Sequence, residues 1–394
     1  MEILTEKIDL NNLDKSNWET LKFEEIAQKI SKTIDPNETT LETYVGLEHI
    51  DAKDLHIRRK GTPDDVKGGK LRCYPGDIIF GKRRAYQRKA AIVDFDGICS
   101  AHAFVLRANS EVIDPKLFPF FLHSDQFMHR MVDISVGGLS PTINWGDLKY
   151  QEFLLPPKDQ QAQLAKLLWT MDEVIEKEKE VYESYHLYKK STIKKLYFGN
   201  NFSYDNVSLR TITELITKGT TPSSIGESFK NEGINYIKIE SITVDGDFIV
   251  EKFEHIDTVT HEKLKRSQLK PNDILFSIAG ALGRSTIVFE QICPANTNQA
   301  LALIRLVEGV DPYYILEFLR SDFIKNYIER VHVKGAQPNL SLKNVNDIKV
   351  PLPEYNIQKD IAIEIDGLNQ ILYKIKSKVE SSKSLQKSLI NQIF

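Results

Sequence analysis

Cysteine is scarce in this chain. Three occur in 394 residues, Cys73, Cys99 and Cys293, far apart and with no CxxC pair. An odd, scattered count excludes a disulfide framework and suits a reducing compartment. Long apolar runs are absent too: no stretch of about 18 residues would hold a helix in a bilayer, so no membrane partner is expected. The first residues, Met1-Glu2-Ile3-Leu4-Thr5-Glu6-Lys7, lack the charged-then-apolar order of a secretion signal, and a cytoplasmic location is expected. Charge of one sign is also missing. Lys and Arg number 52 against 55 Asp and Glu, a net charge of −3. Any surface for a polyanion must therefore be local.

The signatures of catalysis are missing as well. Gly68-Gly69-Lys70-Leu71 is the nearest approach to a phosphate-cradling loop, and it lacks both the upstream glycine and the hydroxyl. No Asn-Pro-Pro-aromatic or Asp-Pro-Pro-Tyr run serves amino-methyl transfer, and no F-x-G-x-G serves its methyl donor. Asp64 directly precedes Asp65 in Pro63-Asp64-Asp65-Val66-Lys67, whereas a metal-nuclease set takes its acids from separate strand positions. His261-Glu262 has no second histidine one helical turn on. The nine histidines and three cysteines show no ligand spacing, so no metal and no catalytic residue is expected.

What the chain does have is a duplication. Pro156 to Phe198 recurs as Pro353 to Phe394. A shift of 197 positions lays Pro156 on Pro353, Asp159 on Asn356, Gln161 on Gln358 and Ala165 on Ala362. Apolar positions step by four and three in both copies: Leu164, Leu168, Met171, Ile175, Tyr182 and Leu196 in the first, Ile361, Ile365, Leu368, Leu372, Val379, Leu389 and Ile393 in the second. That spacing predicts two long helices, each burying one stripe against the other. About 40 residues at about 1.5 Å each make a rod on the order of 60 Å. Leu164 is expected near Leu389 or Ile393, and Leu196 near Ile361, if the rods run antiparallel.

The repeat includes the segments before the rods. Tyr44–Ile50 parallels Tyr236–Ile242, and Asp114-Pro115 with Ser124-Asp125 parallels Asp311-Pro312 with Ser321-Asp322. Short strands are expected at Tyr44–Ile50, Ile78–Phe80, Ala90–Val93 and Ala103–Leu106, with counterparts at Tyr236–Ile242, Ile274–Ile278, Thr286–Phe289 and Ala300–Leu306. Amphipathic helices are expected at Lys116–Met131 and Tyr313–Val331, each followed by a Gly/Pro/Asn-rich loop. Each globule is then α+β and of ordinary domain size. The expected boundaries are 1–157, 158–199, 200–354 and 355–394.

One segment is strongly basic. Between Leu55 and Ala90 stand eleven cations, among them Arg58, Arg59, Lys60, Lys82, Arg83, Arg84 and Arg88, against Asp64, Asp65 and Asp77. Charge runs are ordinarily solvated faces, but this excess points to phosphate. Tyr86 lies within it and offers stacking. Ser140, Thr142 and Asn144 in one loop, and Gln337, Asn339 and Ser341 in the other, are candidate base readers. Arg284 and Lys334 are the candidate cations of the second globule.

The layout of variable globule, long helix, variable globule, long helix resembles the DNA-specificity subunit of type I restriction–modification systems. The resemblance rests on Pro75-Gly76-Asp77-Ile78-Ile79-Phe80 and Pro271-Asn272-Asp273-Ile274-Leu275-Phe276, on Gly280-Ala281-Leu282-Gly283-Arg284, and on Gly335-Ala336-Gln337-Pro338-Asn339-Leu340-Ser341. The proline-rich entries to the helices, with Gln161 and Gln358, complete it. Gly81-Lys82-Arg83-Arg84-Ala85 departs from the Gly-x-x-Gly-Arg turn of the second half. The resemblance implies two homologous α+β target recognition domains separated by long helices paired as an antiparallel coiled coil, with a pseudo-two-fold. It implies double-stranded DNA as ligand, a bipartite asymmetric site, and two methyltransferase subunits docked on the helices. Two restriction subunits join where the system has them. S-adenosylmethionine, ATP and Mg²⁺ would then belong to those partners and not to this chain. Two other readings stay open: a nuclease or methyltransferase with a degenerate site, and a coiled-coil scaffold with two protein-binding globules.

Overall fold

The computed structural model describes residues 13–199, 204–331 and 339–394. They form two compact units, one from the described residues up to Glu180 with Lys376–Phe394, the other from Val181–Ile375.

The first unit holds two four-stranded sheets. One runs Ala27–Ile30, Ala103–Ala108, Ile78–Gly81, Ala90–Ile92 in spatial order, all antiparallel. The other runs Thr33–Ile34, Lys70–Cys73, Gly97–Cys99, Tyr44–Val45, with only the last pair parallel. Alternation of side chains along a strand decides the layering. Ile78, Phe80, Phe104 and Leu106 point into a core shared with Phe121, Phe127 and Met131 of the helices. Ile79, Ala103 and Val105 point the other way, into a core shared with Val45, Cys73 and Cys99 of the second sheet. The first sheet is thus buried on both faces, which explains its near-continuous apolar strands.

The second unit repeats the plan. Its first sheet runs Thr213–Lys218, Leu301–Leu306, Ile274–Ser277, Ser285–Ile287. Ile274, Phe276, Ala302 and Ile304 face the helical core, while Leu275, Leu301 and Leu303 face the second sheet. That second sheet runs Glu254–Ile256, Ile234–Ile237, Ala295–Thr297, Gln268–Leu269. Here the extra edge strand, Glu254–Ile256, flanks Ile234–Ile237; in the first unit the extra edge strand sits at the opposite end of the sheet.

The repeated Pro-Gly-Asp and Pro-Asn-Asp turns have a structural cause. Gly76 and Asn272 take left-handed backbone, at φ +89° and +70°. Asp77 is buried, accepts the Tyr74 amide N–H at 3.0 Å, and takes two hydrogen bonds from Arg107 at 2.7 and 3.1 Å. Asp273 does the same with the Lys270 amide and Arg305.

Two expectations need correction. The helix expected over Lys116–Met131 is two helices, Phe118–His123 and Asp125–Asp133. Ser124 stands between them in extended backbone; its hydroxyl donates to the Phe121 carbonyl and accepts from the Phe127 N–H, so it ends one helix and caps the next. Ser321 divides Pro312–Arg320 from Asp322–Val331 in the same way, again with its hydroxyl on a phenylalanine carbonyl. The strand expected over Tyr44–Ile50 keeps only Tyr44–Val45, because the chain turns at Leu47–His49; Tyr236–Ile242 likewise turns at Ile239–Ser241.

The long helices span Lys158–Phe198 and Tyr355–Ile393. Within the first unit, Leu164, Ala165 and Leu168 share a core with Leu389, Ile390 and Ile393. Gln386 donates to the Leu168 carbonyl at 3.4 Å, and Lys378 pairs with Glu178 at 3.4 Å. As numbers rise along one helix they fall along the other, so the pair is antiparallel. Ile175 and Val379 are buried and Met171 half-buried on the same stripe. Within the second unit, Leu196 and Ile193 pack against the core that contains Tyr197, Ile361, Ala362 and Ile365. Leu368 is buried there, and Tyr182 and Leu372 are half-buried. Among the described residues no helix is long and apolar enough to cross a membrane.

Each long helix is fastened at its start by a glutamine. Gln161 is buried; its carbonyl accepts the Asp114 N–H at 2.6 Å, and its amide donates to the carbonyls of Val112 and Pro156 at 3.0 and 2.9 Å. Gln358, also buried, accepts from Asp311 and donates to Pro353. Replacing Gln161 with Leu preserves volume but strands three backbone groups. It should destabilise the chain by about 2 kcal/mol or more, read as a lower denaturant midpoint. A midpoint equal to that of the parent protein would refute the fastening.

Candidate nucleic-acid interface

In the first unit the central strand Ile78–Gly81 runs out into the turn 82–89. Arg84 and Arg88 both adopt left-handed backbone, φ +57° and +53°, on either side of the short turn Ala85–Gln87. Such conformations are uncommon for residues with a Cβ and are held by their surroundings. The surroundings here are the loop 136–144. Ile143 N–H donates to the Lys82 carbonyl at 2.9 Å, and Arg84 N–H to the Pro141 carbonyl at 2.7 Å. Two segments more than 50 residues apart thus make one surface.

On that surface Arg83 and Arg84 are exposed. The Arg84 guanidinium donates twice to the Ser140 hydroxyl, at 3.1 and 3.0 Å, which fixes its direction. Lys82 lies over the Phe104 ring at 5.3 Å. Burial, and then the charge of Lys29, pull its pKa below the usual lysine value. Lys29 itself rests over Trp145 at 5.6 Å. Among the described residues, none of Lys29, Lys82, Arg83 and Arg84 has a carboxylate within ion-pair distance. Tyr86 is exposed beside them. Asn144 opens the short helix Trp145–Leu148 and donates to Asp147 at 3.2 Å, and the Thr142 hydroxyl donates to the Ser140 carbonyl at 3.2 Å.

Five other cations of the basic segment are paired with carboxylates the linear count did not include, while Lys70 and Lys89 donate to backbone carbonyls. Arg58 grips Glu176 of the first long helix with two hydrogen bonds, 2.6 and 2.7 Å, and Asp54 at 3.2 Å. Burial would raise the Glu176 carboxyl, but Arg58 and Lys179 outweigh it and hold it down at about 2. Arg59 pairs with Asp51, Lys60 with Asp94, and Arg72 with Asp96. Arg88 is largely covered and pairs with Asp125. The guanidinium groups of Arg58 and Arg88 bind parts of the fold together.

The second unit has the corresponding turn. Gly280 and Gly283 take left-handed backbone, φ +76° and +79°, and Gly283 N–H returns to the Ser277 carbonyl. Leu340 N–H donates to the Ile278 carbonyl at 2.8 Å, the equivalent of the Ile143 bond. Arg284 is half-buried and donates to the Ile242 carbonyl at 2.8 Å. Asn339 is exposed and bridges Ala279. Ser341 spends its hydroxyl capping Leu342–Asn346. Lys334 and Gln337 lie outside the described residues.

Sequence reasoning missed Lys29, which only the strand pairing brings beside the turn. It also missed Leu139, whose position after Gly137-Gly138 in a polar loop was a legible signal. Among the described residues no cluster of three His, Cys, Asp or Glu could hold a metal.

His56 ties the start of the basic segment to the first long helix, 2.7 Å from Asp172. That hydrogen bond raises the imidazole pKa above its ordinary 6.5, against burial and Arg58 and with help from Glu176. A raised folded-state value means the contribution is complete below the ordinary value and fades as pH rises through the raised one. The stability gap between the parent protein and His56→Gln, measured by denaturant unfolding, should therefore be widest below the ordinary 6.5 and shrink as pH rises above it. A constant gap would refute the pair.

The family described as the type I restriction modification DNA specificity domain matches residues 15–184 and again 203–381. A protein of Methanocaldococcus jannaschii named for the specificity subunit of the type I restriction enzyme MjaX is 23% identical over 401 residues, covering 93% of this chain and 91% of that one. The EcoBI type I restriction enzyme specificity subunit of Escherichia coli is 28% identical over 172 residues, 43% of this chain and 35% of its own. A chain from a solved type I R-M system gives a TM-score of 0.61 at 19% identity, covering 96% of this chain and 97% of that one. The type I system S subunit from M. genitalium gives 0.54 at 18% identity, covering 97% and 98%. With these two solved structures the likeness is one of fold.

Proposed function

This chain belongs to the type I restriction modification DNA specificity family, and on that premise we propose that it reads a two-part, asymmetric sequence in double-stranded DNA. Residues 1–157 and 200–354 are the two recognition domains; 158–199 and 355–394 are the spacers on which two methyltransferase subunits dock. The chain contributes no catalysis. S-adenosylmethionine, ATP and Mg²⁺ act in the partner subunits, and restriction subunits, where present, use the same reading to direct cleavage in the cytoplasm.

The observation that carries the DNA reading is the turn of the first unit. Among the described residues, Lys82, Arg83 and Arg84, with Lys29, form a group of cations free of carboxylates, while Arg58, Arg59, Lys60, Arg72 and Arg88 are each paired with one. In a protein of net charge −3, that is a local phosphate footprint. Ser140, Thr142 and Asn144 stand along its rim at positions suited to hydrogen-bond donors and acceptors of base edges. Asn339 takes the matching place in the second unit.

Phosphate contacts leave a salt signature. Changing Arg83 and Arg84 together to Ala should weaken binding to duplexes of every sequence and flatten the slope of log affinity against log salt by about 2. A slope equal to that of the parent protein would remove the turn from the DNA interface.

Helices fix a gap that flexible linkers cannot. When the chain is reconstituted with its methyltransferase subunits and the methylated DNA is mapped, two short half-sites separated by a fixed spacer should emerge. Inserting seven residues into both long helices should lengthen that spacer. If the spacer stays the same, the helices do not set it.

A further inference from the structure

The loop beside the basic turn carries a feature that phosphate binding does not use. Val136 and Thr142 exchange both backbone hydrogen bonds, at 3.1 and 2.9 Å. They close a loop of Gly137, Gly138, Leu139, Ser140 and Pro141. Gly137 sits at φ +113°, and a side chain on Gly138 would meet nothing within 4 Å, so the backbone leading to the tip is thin. Leu139 stands at that tip and is 97% exposed. It is not on a loose segment. Thr142 is bridged to Arg83, the Pro141 carbonyl is bonded to Arg84, and Ser140 holds the Arg84 guanidinium. The leucine is thus presented at a set distance from the two exposed arginines. Val136, which closes the loop, and Tyr86, on the basic turn, are also exposed, at 57% and 55%.

A lone exposed leucine is ordinary on a protein surface. A leucine fixed at the tip of a thin hairpin, among cations lacking counter-ions, is a different case. Those cations attract a phosphate backbone, and once the backbone is engaged the tip has only the bases in front of it. We propose that Leu139 makes apolar contact with base surfaces in one half-site and is a specificity-determining residue there. Arg83 and Arg84 hold the flanking phosphates while Leu139 excludes water from the base it covers. The inference rests on the DNA reading given above and adds to it the chemistry of one position. Two base surfaces fit: the 5-methyl of a thymine, or the face of a base pair opened by a wedging side chain.

The test is selection of duplexes from a random-sequence pool by the full chain and by Leu139→Ala. Because the side chain touches so little protein, the variant should keep the parent melting temperature. Expected is loss of sequence preference at one or two positions of one half-site, about tenfold weaker binding to the parent's selected duplex, and an unchanged salt slope. Deoxyuridine in place of thymine at those positions then sorts the two surfaces. A matching loss identifies the methyl; binding unaffected by deoxyuridine, with increased 2-aminopurine fluorescence at that step, identifies the wedge. Selection of the same preference at every position by both proteins would overturn the inference. If Arg83→Ala with Arg84→Ala still loses affinity in that event, the DNA reading survives without it; if neither variant changes binding, both fall.

Discussion

A buried carboxamide fixes the geometry of each unit. Gln161 and Gln358 stand one turn into their helices, at the point where helix, preceding proline-rich strand and Asp-Pro corner meet. First-turn helix geometry leaves backbone groups without partners, and a corner adds more. A glutamine side chain offers an acceptor and two donors at one end of a flexible stem, and in Gln161 all are used by backbone. A lysine there would offer no acceptor for the Asp114 N–H, and a glutamate no donor for the two carbonyls. The start of each long helix is thereby tied to the backbone beside it.

Against that scaffold, charge is distributed with economy. Carboxylates from the first long helix and from loops outside the basic segment neutralise most of its arginines, and they do so where the fold needs cross-links. What is left over lies on a single turn, and the turn is pinned by a loop from later in the chain. The basic segment is therefore divided by which cations have an acid in reach.

The sequence made some of this legible and hid the rest for physical reasons. The helical stripe was readable because Leu164, Leu168, Ile361, Ile365 and their successors repeat every three or four positions, a local signal. The duplication was readable because the two copies keep the same turn chemistry, as at Asp77 and Asp273. The break at Ser124 was hidden because an amphipathic period continues across it; only the hydroxyl's two bonds show that one helix ends there. The strands Glu19–Lys22 and Glu152–Leu155, which pair with each other, carry too few residues to declare themselves without the partner. Charge counting over Leu55–Ala90 overstated the footprint, since Asp125 and Glu176 lie far along the chain. Arg284 stood out because it follows a glycine turn, and the carbonyls it satisfies belong to a segment some forty residues earlier.

Asp125 joins more than one part of the first unit. It opens the helix Asp125–Asp133, pairs with Arg88 at the end of the basic turn, and takes bonds from Asn391 and Lys387 near the end of the second long helix. Asn391 also accepts the Asp125 N–H, a contact between positions 266 apart in sequence. The end of the basic turn and the end of the second long helix thus share one counter-ion, so a change at that single carboxylate would loosen both at once.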